Sequence, residues 1–327
     1  MMKVLVTGAG GFIGSHLVDS QLDKGYHVRA VDLHVERLDH QLNQDRLELI
    51  TGDITDPDLV QRLVAGVDMV YHLASAHLDV SLSDEHYRRV NVQGTQRLVE
   101  AAFQSGVRGF VHCSSVGVMG DVTNPPVDET YYSQPTNIYE RTKLEGERAA
   151  IDFAAQTGFP IVVARPAWVY GPRCPRTQKL FRAIAKGRFL IFGSGQNWRH
   201  PIYVSDAVKG LEICAQVKDR CGEVYIIAGS QPVQVIDLIR LISQELDVAP
   251  PRFHLPIPVG KVGGLSLEAV FKLLGKQPPF SRRSLDFFLK DNAYEINKAR
   301  RELGYHPEVD LPSGIKQTAR WLKNQSW

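Results

Sequence analysis

Thr7-Gly8-Ala9-Gly10-Gly11-Phe12-Ile13-Gly14-Ser15-His16-Leu17 follows a short apolar run, Lys3–Val6, and opens onto a helical pattern. Gly8, Gly11 and Gly14 stand three residues apart. Glycines at that spacing let a strand turn tightly into a helix, let a pyrophosphate approach backbone N–H groups, and let helix and strand pack closely. A helix beginning at Phe12 or Ile13 points its positive end at the phosphates. Glycine spacing alone is a weak sign. Between a strand and a helix, within the first thirty residues, it reads as a dinucleotide-binding loop rather than a bare turn. The second apolar run ends in Val31-Asp32. A carboxylate there accepts from both adenosine ribose hydroxyls and repels a 2′-phosphate, so Asp32 favours NAD. Arg29 and Arg37 lie nearby in sequence, and an Arg37 swung towards a phosphate would keep NADP open.

Outward from the loop, short β-branched runs alternate with helical patterns. The expected strands are Lys3–Val6, His27–Val31, Leu47–Ile50, Met69–Leu73, Gly109–Cys113, Ile161–Arg165 and Glu223–Ala228. They are almost continuously apolar, as strands buried on both faces of a parallel sheet are. Helices are expected near 13–24, 57–65, 84–105, 136–157 and 205–218. The alternation predicts a Rossmann-like, doubly wound α/β fold. The Pro- and Gly-rich stretches after Val169 and between Pro250 and Pro279 break the rhythm. Residues 1–170 plus about 202–229 are therefore read as the NAD(P)-binding domain. Residues from about 171–201 plus 230–327 are read as a smaller α/β substrate-binding lobe. The last helix is expected after Pro312-Ser313, with Ser313 as its N-cap, running through Trp321.

Composition narrows the class. The 327 residues are 43% hydrophobic and 23% charged, too apolar and too balanced for disorder. With 38 basic against 36 acidic residues there is no bias towards nucleic acid. Cys113, Cys174, Cys214 and Cys221 are scattered, which argues against a metal site or a disulfide framework and fits a reducing compartment. No run approaches the roughly 18 apolar residues of a membrane helix, and the N-terminus lacks a signal-peptide pattern. A cytoplasmic protein with no membrane partner is the expectation.

The chain resembles the extended short-chain dehydrogenase/reductase family, which holds NAD-dependent epimerase/dehydratases and 3β-hydroxysteroid dehydrogenase-like enzymes. The likeness runs in order along nearly the whole chain. "TGAGGFIGSHL" at 7–17 is similar to the family's glycine loop, and "GDITD" at 52–56 to its adenine segment, which implies Asp53 and Ile54 at the adenine. "YHLASA" at 71–76 resembles the segment lining the cofactor, implying Leu73, Ala74 and Ser75 there. "NVQGT" at 91–95, "CSSVGVMG" at 113–120 and "YERTK" at 139–143 are similar to its Asn helix, serine segment and Tyr-x-x-x-Lys. "RPAWVYGP" at 165–172, "GSGQNWRHPIYVSD" at 193–206 and "LGYHP" at 303–307 resemble later segments, implying Pro166 and Val169 at the cofactor. Asn91 is implied as a supporting residue of the cofactor site. A homodimer through the 84–105 helix and the Tyr139–Lys143 helix is implied too.

The residues themselves agree with that chemistry. Tyr139 and Lys143 are i and i+4, so they share one helix face. A free tyrosine titrates near ~10 and is a poor base at neutral pH; a neighbouring ammonium favours its phenolate. Lys143 can also bind the nicotinamide ribose. Tyr139 then takes or gives the proton of a substrate oxygen as hydride moves, and Ser115 holds that oxygen. Ser114 reads as structural, and of the histidines His77 has the best claim to face the pocket. The substrate side departs from nucleotide-sugar members. Trp168 stands where they carry Asn, Met119 where they carry Tyr, and Gly117 where they often carry Thr or Ser. Arg199 keeps a phosphate-binding residue type, but His200-Pro201 replaces the Asp-Phe that follows it there. Trp168 and Met119 enlarge the apolar area. The expected substrate is a hydrophobic or cyclic, hydroxysteroid-like alcohol or ketone. A nucleotide-sugar epimerase or dehydratase is the alternative, and a non-catalytic NAD(P)-binding regulator a weaker one.

Overall fold

The computed structural model describes residues 2–77, 82–217, 221–273 and 282–325. Seven parallel strands form the central sheet: β1 (Lys3–Thr7), β2 (His27–Asp32), β3 (Leu47–Thr51), β4 (Met69–His72), β5 (Gly109–Cys113), β6 (Ile161–Pro166) and the strand Val224–Ile227. Their spatial order is Val224–Ile227, β6, β5, β4, β1, β2, β3. β1 lies between β2 and β4, with Val4 opposite both Val28 and Met69. The chain reverses its winding there, and the cleft between the loops after β1 and β4 is where such sheets bind ligands.

The alternation of side chains divides the core. Val4 and Val6 join a cluster with Leu17, Val18, Ala207 and Leu211, from helices Phe12–Asp23 and Val204–Cys214. Leu5, Val70, Phe110 and Ile161 point the other way, onto helices Pro57–Val64, Thr95–Gln104 and Ile138–Thr157. Each such fully buried Leu, Val or Ile contributes about 1.5–3 kcal/mol. Every residue of β4, β5 and β6 is buried, whereas the edge strand β3 is half exposed.

The span expected as one helix over 84–105 is three pieces. A wider π turn, Arg89–Gly94, separates helices Asp84–Arg88 and Thr95–Gln104. Outside the sheet, Trp168–Tyr170 pairs with Pro201–Tyr203, Trp198–Arg199 with Val233–Gln234, and Ile191–Phe192 with His254–Leu255. The last helix runs Leu311–Lys323. Its cap is Asp310, not Ser313: the Asp310 carboxylate accepts the Ser313 backbone N–H at 2.8 Å. Pro312 needs no acceptor in the first turn, so the helix starts three residues earlier than expected. The "LGYHP" segment docks on the sheet's edge, where the buried Tyr305 hydroxyl donates to Ala228 O at 3.1 Å.

Candidate active site

The glycine loop is shaped by contacts more than by spacing. Gly8 has φ +70°, and a Cβ on it would lie 2.6 Å from Ala74 N, at the end of β4. A Cβ on Gly14 would meet Gly8 O at 2.0 Å, so helix and loop touch backbone to backbone. Gly10, absent from the expected set, is the tightest: its Cβ would stand 1.7 Å from His34 O. Gly11 precedes helix Phe12–Asp23, with no side-chain cap and no acidic residue in the first turn. Its free N–H groups suit an anion. Asp32 ends β2; Oδ2 accepts from Gly10 N at 3.0 Å and Oδ1 from His34 N at 3.2 Å, which holds the carboxylate at the loop. Arg37 donates to Gly10 O at 2.8 Å. Arg29 faces away from the loop: it pairs with Glu48 and donates to the carbonyls of Arg62, Leu63 and Ala65 at the end of helix Pro57–Val64.

The half-buried Leu73, Ala74 and Ser75 follow β4 beside Gly8. Buried hydrogen bonds fix this rim. Thr7 Oγ1 meets His72 Nδ1 at 2.8 Å, and His72 Nε2 meets Thr95 Oγ1 at 2.9 Å. Burial, with the Lys143 charge adding to it, pushes His72 down to about 3, so the ring is neutral. Asn91 lies in the π turn and is buried. Its Oδ1 accepts from Ala76 N at 2.8 Å, and its Nδ2 donates to Ala76 O and Thr142 Oγ1. With both N–H groups used, Asn91 braces the rim against the Tyr139 helix instead of presenting donors to a cofactor. Asp53 Oδ1 accepts from Thr55 N at 2.8 Å and shapes its turn. Ile54 is 5% exposed, its side chain turned into the core towards Gly94.

Ser115, Tyr139 and Lys143 come from two neighbouring elements. Ser115 follows β5, and its Oγ accepts from Gly117 N at 3.0 Å. That geometry leaves the hydroxyl proton available to an incoming oxygen. Tyr139 and Lys143 lie in the first two turns of helix Ile138–Thr157, capped by Asn137. The Tyr139 ring meets His77 edge-on, with centroids 4.6 Å apart. Lys143 is buried, and its Nζ donates to Cys113 O at 2.7 Å. Burial lowers its pKa, against the opposing pull of Cys113 and Glu147. Gly146, one turn on, allows a close approach: a Cβ there would lie 2.2 Å from Asn91 O. The buried Arg165 grips Glu147 with two bonds, at 2.5 and 3.1 Å, and ties this helix to β6.

The expected substrate residues divide. Gly117 and His77 lie beside Ser115 and Tyr139 respectively. Trp168 is half-buried, stacked on Tyr170 and edge-on to Phe287. Met119 is 0% exposed, because the turn Val116–Met119 carries it into the core, so it lines no pocket. Val169, on strand Trp168–Tyr170, is also a core residue, and Pro166 is buried in β6. Arg199 is buried and committed to the chain, donating to Asp286 O and to Phe287 O at 3.2 Å, with its guanidinium 5.1 Å from the Phe287 ring centre. It is not placed as a phosphate ligand. His200 is structural, joined to Gly229 O and Tyr294 N.

The profile of the NAD dependent epimerase/dehydratase family matches residues 4–228. The chain belongs to that family. Among curated relatives of this family member is the N-acetyl-alpha-D-glucosaminyl-diphospho-ditrans,octacis-undecaprenol 4-epimerase of Escherichia coli O157:H7, 27% identical over 98% of this chain and 95% of that protein. Another is the 3 beta-hydroxysteroid dehydrogenase/Delta 5-->4-isomerase of Mycobacterium tuberculosis (strain CDC 1551 / Oshkosh), 30% identical over 93% of this chain and 86% of that protein. Among solved structures, the UDP-glucuronic acid 4-epimerase of Bacillus cereus in complex with NAD superposes with a TM-score of 0.82 at 27% identity, over 100% of both chains. As a member of the epimerase/dehydratase family the chain is an enzyme whose cofactor is NAD. The uncapped helix start, the side-chain-free approach at Gly8, Gly10 and Gly14, and the Asp32 carboxylate fit that cofactor's phosphates and adenosine ribose.

Proposed function

We propose that this enzyme moves hydride between NAD and a secondary alcohol or ketone on a hydrophobic or cyclic, hydroxysteroid-like substrate. Residues 1–170 plus about 202–229 hold NAD, and residues from about 171–201 plus 230–327 cover the substrate. The nicotinamide, when bound, supplies the hydride acceptor or donor. The chain supplies the rest. Tyr139 exchanges the proton of the substrate oxygen, Lys143 favours its phenolate and reaches the nicotinamide ribose, and Ser115 donates its hydroxyl proton to the same oxygen. The observation that carries the substrate class is Arg199. The side chain best suited to a diphosphate is occupied by the carbonyls of Asp286 and Phe287, while the Phe287 ring meets Trp168 to form an apolar wall.

The second reading, a nucleotide-sugar epimerase or dehydratase, is favoured by relatives such as the E. coli 4-epimerase. A panel of steroids, cyclic hydroxy-ketones and nucleotide sugars with NAD separates the two. Net change at the nicotinamide absorbance band is expected with an apolar cyclic alcohol. Turnover of nucleotide sugars alone, with no net NADH, would replace the first reading by the second. Tyr139→Phe is expected to lower kcat by about 10²–10⁴-fold with NAD affinity kept; unchanged turnover would overturn the role given to Tyr139.

A further inference from the structure

Helix Ile257–Leu273 is built inside out for a surface helix. Its inner side is small: Gly264 is buried, and a Cβ on Gly260 would lie 2.7 Å from both Leu285 and Phe192 side chains. Its outer side carries Val259, Val262 and Leu265, exposed by 53%, 65% and 48%. At 100° per residue these three, with exposed Pro258 and Ser266, fill one arc of about 120°, and exposed Lys261 sits at its edge. A helix facing water normally places polar residues on that arc, and a contiguous apolar stripe there marks a contact surface. Next to the helix, Phe253 is 76% exposed just before the strand His254–Leu255 that pairs with Ile191–Phe192, beside exposed Arg252. Leu190, 44% exposed, precedes the partner strand.

Charge selects the occupant. The sequence from 251 to 283 holds six of the chain's 38 basic residues and one of its 36 acidic ones, Glu268. That stretch carries +5, whereas the remainder of the chain carries −3. Apolar side chains on one arc with lysine at its margin, in a locally basic stretch, form the pattern of a helix lying in an anionic lipid interface. Among the described residues no helix is long and apolar enough to cross a membrane, so the contact is peripheral. We propose that helix Ile257–Leu273, with Phe253, docks this enzyme on an anionic membrane surface. Composition gave no hint of this, because the stripe is short and shows only when exposure is known.

The test is co-sedimentation of the full chain with vesicles of mixed phosphatidylcholine and phosphatidylglycerol, and with phosphatidylcholine alone. Binding to the mixed vesicles, weakened by salt and much lower on the neutral ones, is expected. Lys261→Ala should weaken it about fivefold, and Val262→Asp with Leu265→Asp by at least about tenfold. Both sites are exposed, so the thermal midpoint and NAD affinity should hold, which separates lost docking from lost fold. No sedimentation of the unaltered chain, equal binding to both vesicle types, or undiminished binding by the double variant would each overturn the proposal. So would a double variant whose only change is a smaller assembly on size exclusion, since the stripe would then join two copies of the chain.

Discussion

At the scale of single residues, the glycine loop ranks its members by contact. Gly11 has φ −68°, a conformation open to any residue, and a Cβ there would stand 3.0 Å from Gly8 O. Gly10 would drive a Cβ to 1.7 Å from His34 O, and His34 N is itself tied to Asp32. Backbone cannot yield there without moving the Asp32 carboxylate, which accepts from both Gly10 N and His34 N. Gly10→Ala is therefore expected to cost about 3 kcal/mol and at least tenfold in NAD affinity, while Gly11→Ala costs about 1 kcal/mol. Urea unfolding and NAD titration of both variants check this, and the reverse order would refute the contact argument. Motif spacing pointed to Gly8, Gly11 and Gly14, because it records the turn and the helix packing. The obstruction at Gly10 comes from the loop after β2, which lies beside it only once β1 and β2 pair. Met119, Val169 and Arg199 were misplaced for a related reason. A motif gives the residue type, whereas the direction of its side chain depends on the turn or strand that carries it.

At the scale of elements, the start of the Tyr139 helix is held from the far end of the chain. Lys290 Nζ lies 2.8 Å from Thr136 Oγ1, 3.4 Å from Glu140 Oε1 and 3.6 Å from Asp121 Oδ1, with its side chain 11% exposed. Glu140 in turn accepts from Thr136 N at 2.8 Å, and its Cγ borders Gly117 beside Ser115. The same segment closes over Arg199 through the carbonyls of Asp286 and Phe287. Lys290→Met leaves Glu140 and Asp121 without their shared cation. It is expected to destabilise by about 2–3 kcal/mol and to lower kcat more than NAD affinity. Thermal unfolding and steady-state kinetics measure both, and an unaltered melting point would show the bridge to be idle. Nothing in the sequence marked Lys290, since 150 residues separate it from Glu140. The seven sheet strands were legible because burial on both faces writes an apolar run. The pairings of Trp168–Tyr170, Trp198–Arg199 and Ile191–Phe192 were not, because two or three residues are too few to show a period.

At the scale of the whole molecule, buried histidines set the response to acid. Burial is the largest cause in each case. It brings His16 and His200 down to about 4 and His72 to about 3, and holds His112 well below the ordinary value. His112 is fully buried, and neither ring nitrogen meets a hydrogen-bond partner among the described residues. In the unfolded chain all four take up a proton near pH 6.5, whereas in the fold His16 and His200 stay neutral down to about pH 4, His72 down to about pH 3, and His112 to well below the ordinary value. The unfolded state therefore binds more protons between those limits. Stability is fully present above about pH 6.5 and declines as pH falls, by about 1.4 kcal/mol per unit for each histidine. Glu129 and Asp206, raised by burial, take up protons in the folded state and oppose this, but they are two against four. Urea unfolding between pH 7 and 5 should then show a net uptake of about two to four protons on unfolding. His112→Phe removes one of them, so its profile should be shallower by about one proton, with stability at pH 7 equal or higher because an unpaired buried imidazole is gone. A flat profile for the unaltered chain, or one that His112→Phe leaves unchanged, would mean that these rings meet water or charge in the fold.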